Sequence, residues 1–359
     1  MPMNFSRISL ITATLLLVLS ANANESSFKD ASVDTAVRAE SLTPVNRNKD
    51  WQLIWQDEFN NANLDPNKWS AEQNCSGGGN NEQQCYTNRP QNLSIENGIL
   101  SITARHGAYS GPAKQDDADG YLQSEQRELP FTSARIRSKG KGDWLYGRFE
   151  IRAKLPSGQG SWPAIWMLST DSPYDWWAAS GEIDIMEAVN LKTGSDETGE
   201  LTNIPESRIH GTLHYGRRWP GNEHTGAGFK LPRGEHPSDD FYTYAIEWQK
   251  DEIRWYVDDY HYATQKSSGW YSQSKLETGW TTHSEDAPFN HPFHLLLNLA
   301  VGGNWPANVN EKGIDASAFP QTLAIDYVRV YQCKLDPTTG KGCETIDPNA
   351  KQVKGKKRP

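Results

Sequence analysis

The sequence predicts an all-β protein built as two antiparallel sheets stacked face to face. Three observations carry that prediction. Few stretches have helical periodicity, short alternating or apolar runs recur through the body of the chain, and Gly, Pro, Asn and Asp punctuate them at close intervals. Stacked sheets would bury one side of each strand and leave the other for solvent or ligand.

The first segment is not part of that body. Arg7 precedes an apolar run from Ile8 to Leu19, and Ala21-Asn22-Ala23 follows with the small residues a signal peptidase accepts. Residues 1–23 are therefore expected to be a cleaved signal peptide, which makes the protein secreted or periplasmic. The run is short for a bilayer span, and no later segment reaches the roughly 20 apolar residues that a membrane helix needs. Losing residues 1–23 removes Arg7 and no acid, so the formal net charge moves from −9 to about −10. That balance argues against nucleic acid or an anionic membrane as partner.

Residues 24–48 read as a polar leader, and 49–335 as one domain without an obvious linker. Within it, Gln91–Ala104 forms a hairpin about Asn97-Gly98, a dipeptide suited to a tight two-residue turn. Thr132–Arg137, Tyr146–Leu155 and Ile209–Tyr215 read as strands, and Tyr242–Val257 as a hairpin turning near Asp251. His294–Val301 and Leu323–Cys333 complete the clear cases. Residues 336–359 are a polar, basic tail whose composition suits a disordered terminus.

Four cysteines fit export and fall as two close pairs, Cys75 with Cys85 and Cys333 with Cys343. Local disulfides are the simplest reading, though four cysteines allow three connectivities. Zinc is the alternative, without CxxC spacing or a nearby His doublet to support it. Fourteen tryptophans and fourteen tyrosines are many for a chain only 36% hydrophobic. Aromatic planes stack on sugar rings, but they also fill sandwich cores.

The chemistry concentrates in Ser180-Gly181-Glu182-Ile183-Asp184-Ile185-Met186-Glu187-Ala188. On a strand, Glu182 and Asp184 share one face while Ile183 and Ile185 enter the core. Strict alternation would drive Glu187 into the core, an expensive place for a charge. A one-residue bulge at Ile185-Met186 restores parity and puts all three carboxylates on one face. The two glutamates would then stand four strand steps apart, roughly 13 Å between Cα atoms, and leaning side chains can close much of the gap to the about 5–5.5 Å of a retaining pair. Asp184 between them is expected to hold Glu182 ionised and leave Glu187 its proton. A solvated acidic face is the bland reading; three carboxylates with no Lys or Arg between them count against it. A metal site is the other competitor.

These residues resemble glycoside hydrolase family 16, and within it the laminarinases, which are endo-1,3-β-glucanases. The likeness rests on Glu182-x-Asp184-x-x-Glu187, the preceding Trp162-Pro-Ala-Ile-Trp166-Met-Leu, and downstream His210-Gly-Thr-Leu-His214-Tyr-Gly and Leu297-Asn-Leu-Ala-Val-Gly-Gly-Asn-Trp305-Pro, and covers about Trp51 to Gln332. It implies a β-jelly-roll with a concave substrate cleft and a double-displacement mechanism. Glu182 matches the nucleophile, Glu187 the acid/base and Asp184 the helper carboxylate. Trp162, Trp166 and Trp177 would be sugar platforms, and His214, Arg135 and Asn80 polar cleft residues; His210 is as readily structural as functional. The resemblance also implies a structural calcium held by Glu58, the Gly98 carbonyl and Asp326, with no cofactor for catalysis. Gln84-Cys85-Tyr86 departs from many laminarinases by placing a cysteine where an aromatic is common, so a disulfide-stiffened loop is expected at the cleft edge.

The implied substrate is a laminarin-type β-glucan and the expected state a monomer. Agarases and κ-carrageenases share the bulged motif, but basic residues suited to sulfated galactans are almost absent around Trp162 and Glu182. Lichenases have a motif one residue shorter, and Met186 counts against them. A glucan-binding protein of the same fold would commonly lack a glutamate that is present here.

Overall fold

The computed structural model describes residues 36–194 and 203–356. The expected signal peptide and the first half of the leader lie outside the described residues. Two large sheets stack on a common core, and the helical content of the described residues is confined to short 3-10 turns.

The cleft sheet runs, edge to edge, β1 (Val37–Arg38), β14 (Asn222–Lys230), β13 (Ile209–Gly216), β12 (Glu182–Glu187), β11 (Ser161–Ser169), β20 (Phe293–Val301), β8 (Arg135–Arg137) and β3 (Ser70–Ala71). Strand β9 (Asp143–Trp144) pairs with β20 beside this path. The outer sheet runs β22 (Lys351–Gln352), β17 (Tyr260–Lys266), β16 (Glu252–Val257), β15 (Tyr242–Gln249), β10 (Gly147–Lys154), β21 (Gln321–Cys333), β6 (Ile99–Pro112), β7 (Gln126–Ser133) and β4 (Gln84–Tyr86). Strand β2 (Trp51–Asp57) pairs with β21, and β5 (Leu93–Glu96) with β6. A separate hairpin joins β18 (Gln273–Leu276) to β19 (Gly279–Thr282). Most neighbours are antiparallel, as expected, but β1 with β14, β4 with β7 and β22 with β17 are parallel. The sheets are therefore mixed at their margins, where short flanking segments are added.

Local chemistry explains the turns. Asn97 and Gly98 both take positive φ and close β5 onto β6 with Glu96 opposite Ile99. Asp251, also at positive φ, turns β15 into β16. The expected strand Thr132–Arg137 is in fact two: β7 ends at Ser133 in the outer sheet, and β8 begins at Arg135 in the cleft sheet. Ala134 is where the chain crosses between layers. A continuous apolar-polar run cannot report such a change of sheet.

The tail also departs from expectation. Both cysteine pairs close as local disulfides, Cys75–Cys85 and Cys333–Cys343. Beyond Cys343 the chain stays packed: Thr345 donates its amide to buried Glu247, Asp347 accepts the Thr43 amide, and β22 extends the outer sheet. Three spaced anchors hold it, without the periodic apolar pattern by which order is usually recognised. The second half of the leader meets it, with Asn48 donating to the Thr345 hydroxyl and Arg47 paired to Glu150.

Candidate active site

Strand β12 lies mid-sheet, and the bulge at its centre is present. Asp184 stands opposite Thr212 and Glu187 opposite His210, so Ile185 and Met186 of β12 stand against Gly211 alone on β13. Against β11, Trp166 faces Asp184 and Ile165 faces Met186, with Ile185 left over. Ile183, Ile185 and Met186 all enter the core. The three carboxylates share the opposite face. Trp255, buried beneath, donates its indole N–H to the Asp184 carbonyl at 2.8 Å, which pins the strand beside the bulge. Gly181, at positive φ, leads into the strand where a Cβ would come within 3.0 Å of Pro288, Phe289 and Phe293.

Indole donors flank the acids. Trp177 Nε1 donates to Glu182 Oε2 at 2.6 Å, and Trp162 Nε1 to Glu187 Oε1 at 2.9 Å. His214 stands across β13, its Nε2 3.3 Å from Asp184 Oδ2 and 3.6 Å from Glu182 Oε1. Asp184 is 1% exposed, the two glutamates half-buried. Burial raises all three carboxyls to about 8. The Asp184 charge pushes both glutamates up further, while His214 and the indole N–H groups offset part of this. The expectation of one ionised and one protonated glutamate thus becomes a shared property: near neutral pH the trio holds protons collectively. His210, beside Glu187, is lowered to about 4 by burial and stays neutral.

Most of the expected residues converge here. Trp162 and Trp166 stand on the cleft face of β11, Trp166 donating to the Asn298 side chain at 2.7 Å. Asn80 is at the rim, where its carbonyl accepts from Asn304 and its amide reaches Glu82. Arg135 is placed differently from a sugar-facing group. Its side chain is buried in an ion pair with Glu72 at 2.9 Å and stacks against Trp166 at 5.1 Å, so it backs the Trp166 ring. Trp305, a site residue that no local pattern singles out, brings its ring against those of Trp162 and His210. Asn298 and Glu82 likewise become reachable only once β20 and the Cys75–Cys85 loop are placed.

The calcium positions lie elsewhere, along β21. The Glu58 carboxylate is clasped by Arg329 at 2.7 and 2.9 Å, so it does not fit as a cation ligand. What fits is oxygen of other kinds. The Glu58 carbonyl lies 3.9 Å from where a Cβ on Gly98 would stand, and Asp326 sits at a register shift of β21 with Oδ2 bonded to Arg152 and Oδ1 left for a cation. Glu182, Asp184 and His214 form a second possible donor set, with ligand atoms within 4.8 Å of one another.

Three carboxylates flanked by two indole donors on one face of a β-sandwich are the arrangement of a glycoside hydrolase, and the comparisons fix its family. Residues 80–318 match Glycosyl hydrolases family 16. The chain is 40% identical over 292 residues to the β-glucanase of Rhodothermus marinus, covering 79% of this chain and 85% of that one. It is 38% identical over 288 residues to glucan endo-1,3-β-glucosidase A1 of Niallia circulans, covering 78% of this chain but only 38% of that longer protein. The laminarinase structure from Rhodothermus marinus superposes with a TM-score of 0.56 at 35% identity, over 78% of this chain and 97% of that one. The chain belongs to glycosyl hydrolase family 16, as a laminarinase-like member.

Proposed function

We propose that this protein is an exported, endo-acting, retaining hydrolase of internal 1,3-β-glucosidic bonds in laminarin-type glucans. The observation that carries the reading is the β12 bulge, which gathers Glu182, Asp184 and Glu187 on one face between two indole donors. The laminarinase relatives support the linkage, and the Arg7, Ile8–Leu19 and Ala21-Asn22-Ala23 pattern supports export.

In this mechanism Asp184, the most buried of the three, keeps a proton and hydrogen-bonds Glu182. Glu182 carries the negative charge, stabilised by the Trp177 N–H and by His214. It attacks the anomeric carbon while Glu187 donates its proton to the departing glycosidic oxygen, giving a covalent glycosyl-enzyme. Glu187, now a carboxylate steadied by Trp162, takes a proton from water as that water attacks the same carbon from the opposite face, releasing Glu182. Two inversions retain the anomeric configuration. A structural calcium ion held by the Glu58 and Gly98 carbonyls and by Asp326 would take no part in these steps and would clip the end of β2, the β5–β6 turn and β21 together.

The test is reducing-sugar release with product sizing on laminarin, curdlan, mixed-linkage β-glucan, agarose and κ-carrageenan in parallel. A ladder of oligosaccharides from laminarin, with the β-anomer formed first by NMR, is the expected outcome. Cleavage of a galactan alone would overturn the substrate assignment, and first formation of the α-anomer would overturn the mechanism.

A further inference from the structure

A second concavity of about 330 Å³ lies apart from Glu182 and Glu187. It opens between the loop closed by Cys75–Cys85 and the long β6–β7 hairpin. Its size is at the lower end for a small-ligand site. Its chemistry is selective. Tyr121 and Gln123 line it with a half-buried ring and an exposed amide, and Asp116 with a half-buried carboxylate already accepting from the Gln73 and Asn74 N–H groups, while buried Tyr86 and Asn74, and Tyr109 under the Arg89 guanidinium, complete the wall. No Lys or Arg lines the cavity, which disfavours an anion, and no aliphatic branched side chain lines it, which disfavours a lipid or apolar peptide side chain. Aromatic planes beside uncharged donors and acceptors suit a neutral molecule with an apolar ring face and several hydroxyls.

Two chains of contact join this cavity to the cleft floor. The Arg135 guanidinium lies against Trp166 at 5.1 Å and against Tyr86 at 5.7 Å, so the platform and the cavity wall share one cation. Glu72, paired with Arg135, accepts from the Asn74 amide at 3.2 Å, and the same amide reaches Asp116 at 3.0 Å. Asn74 is fully buried, so the polar wall is held in place before any ligand arrives. Strands β8 and β3 are the last of the cleft sheet on this side, and β4 and β7 border the cavity beyond them.

We infer that this cavity is a remote sugar-binding site that holds one glycosyl residue of the polymer whose backbone occupies the cleft; this rests on the β-glucan reading above. The Asp116 carboxylate and the Gln123 amide receive hydroxyls of that residue, and Tyr121 covers its apolar face. The site raises affinity for long chains and does not touch the bond being cut.

The test is the double variant Tyr121→Ala, Gln123→Ala, on an exposed hairpin outside the catalytic machinery, with Asp116→Asn as a second, nearly isosteric variant. KM and kcat are measured on laminarin and on laminaritetraose, which the cleft alone can hold. The expected result is a roughly fivefold rise in KM on laminarin, about the size of one net hydrogen bond, with kcat and the tetrasaccharide constants unchanged. A laminarin KM within twofold of wild type in both variants, or an equal loss on the tetrasaccharide, would overturn the inference. Wild-type protein that leaves laminarin intact is a distinct result, since it removes the β-glucan reading and this site with it.

Discussion

Replacing Glu187 by Gln should stabilise the protein while stopping hydrolysis, because the acid is held in an environment that resists its ionisation. Its carboxyl is raised from 4.5 to about 8, first by burial and then by the Asp184 charge. Between those values the folded chain keeps a proton that the unfolded chain releases, so stability falls as pH rises through this window. The cost is about 1.4 kcal/mol per pH unit, hence at most roughly 3 kcal/mol at pH 7 for one group treated alone. Three carboxyls share the burial and repel one another, so the expected gain on substitution is roughly 1–3 kcal/mol, or about 2–6 °C in Tm for a domain of this size. The glutamine carbonyl can still accept from Trp162, so that contact survives. Thermal unfolding of wild type and variant at pH 4.5, 6 and 7.5 checks this: the gain should be near zero at pH 4.5 and grow upward. In parallel, kcat on laminarin should fall roughly 10²–10⁴-fold. A variant no more stable at pH 7.5 than wild type, or one that keeps a tenth of the activity, would refute the assignment of a buried acid to Glu187.

Asp184→Asn removes a carboxyl whose charge, as it forms near pH 8, pushes both glutamates up, so the alkaline limb of the rate profile, expected near pH 8 in the wild type, should move to lower pH with kcat down roughly tenfold or more; an unmoved limb would separate Asp184 from the titration. Dialysis against EDTA should lower Tm by roughly 3–5 °C, restored by calcium, as loss of a ligand bound only by the folded state requires; an unchanged Tm in both conditions argues against the ion. Ending the chain at Cys343 removes Thr345 and Asp347, which serve Glu247, Tyr256 and Thr43, and should cost roughly 2–4 kcal/mol by denaturant unfolding, whereas a loss under 0.5 kcal/mol would return the tail to a passive role.

The bulge was legible from sequence because two strong constraints meet at Ile185-Met186: a strand's period of two and the cost of a buried charge. The paired cysteines and the Asn97-Gly98 turn were legible because their determinants are adjacent in the chain. What escaped depends on distant partners. Arg135 finds Glu72 on a neighbouring edge strand, so its burial is a property of the assembled sheet. The Glu58 side chain is taken by Arg329, far along the chain and unrelated to it by any local pattern. The ionisation of the trio likewise follows from how deeply the flanking loops bury it, which no spacing encodes.

The bulge does more than correct parity; it gives the two glutamates different neighbours. With regular alternation between them, residues on β12 would meet equivalent positions along β13. The extra residue instead sets Glu182 opposite His214 and Glu187 opposite His210. His214 lies 3.3 Å from Asp184 and 3.6 Å from Glu182, and offsets part of the rise of both glutamates. His210 is held neutral near Trp305, and so supplies no cation that would draw the proton from Glu187. The two glutamates thus share the same raised titration, to about 8, and differ in which imidazole stands opposite each. What distinguishes the surroundings of the two glutamates is therefore register, set by Ile185, the residue left over against β11.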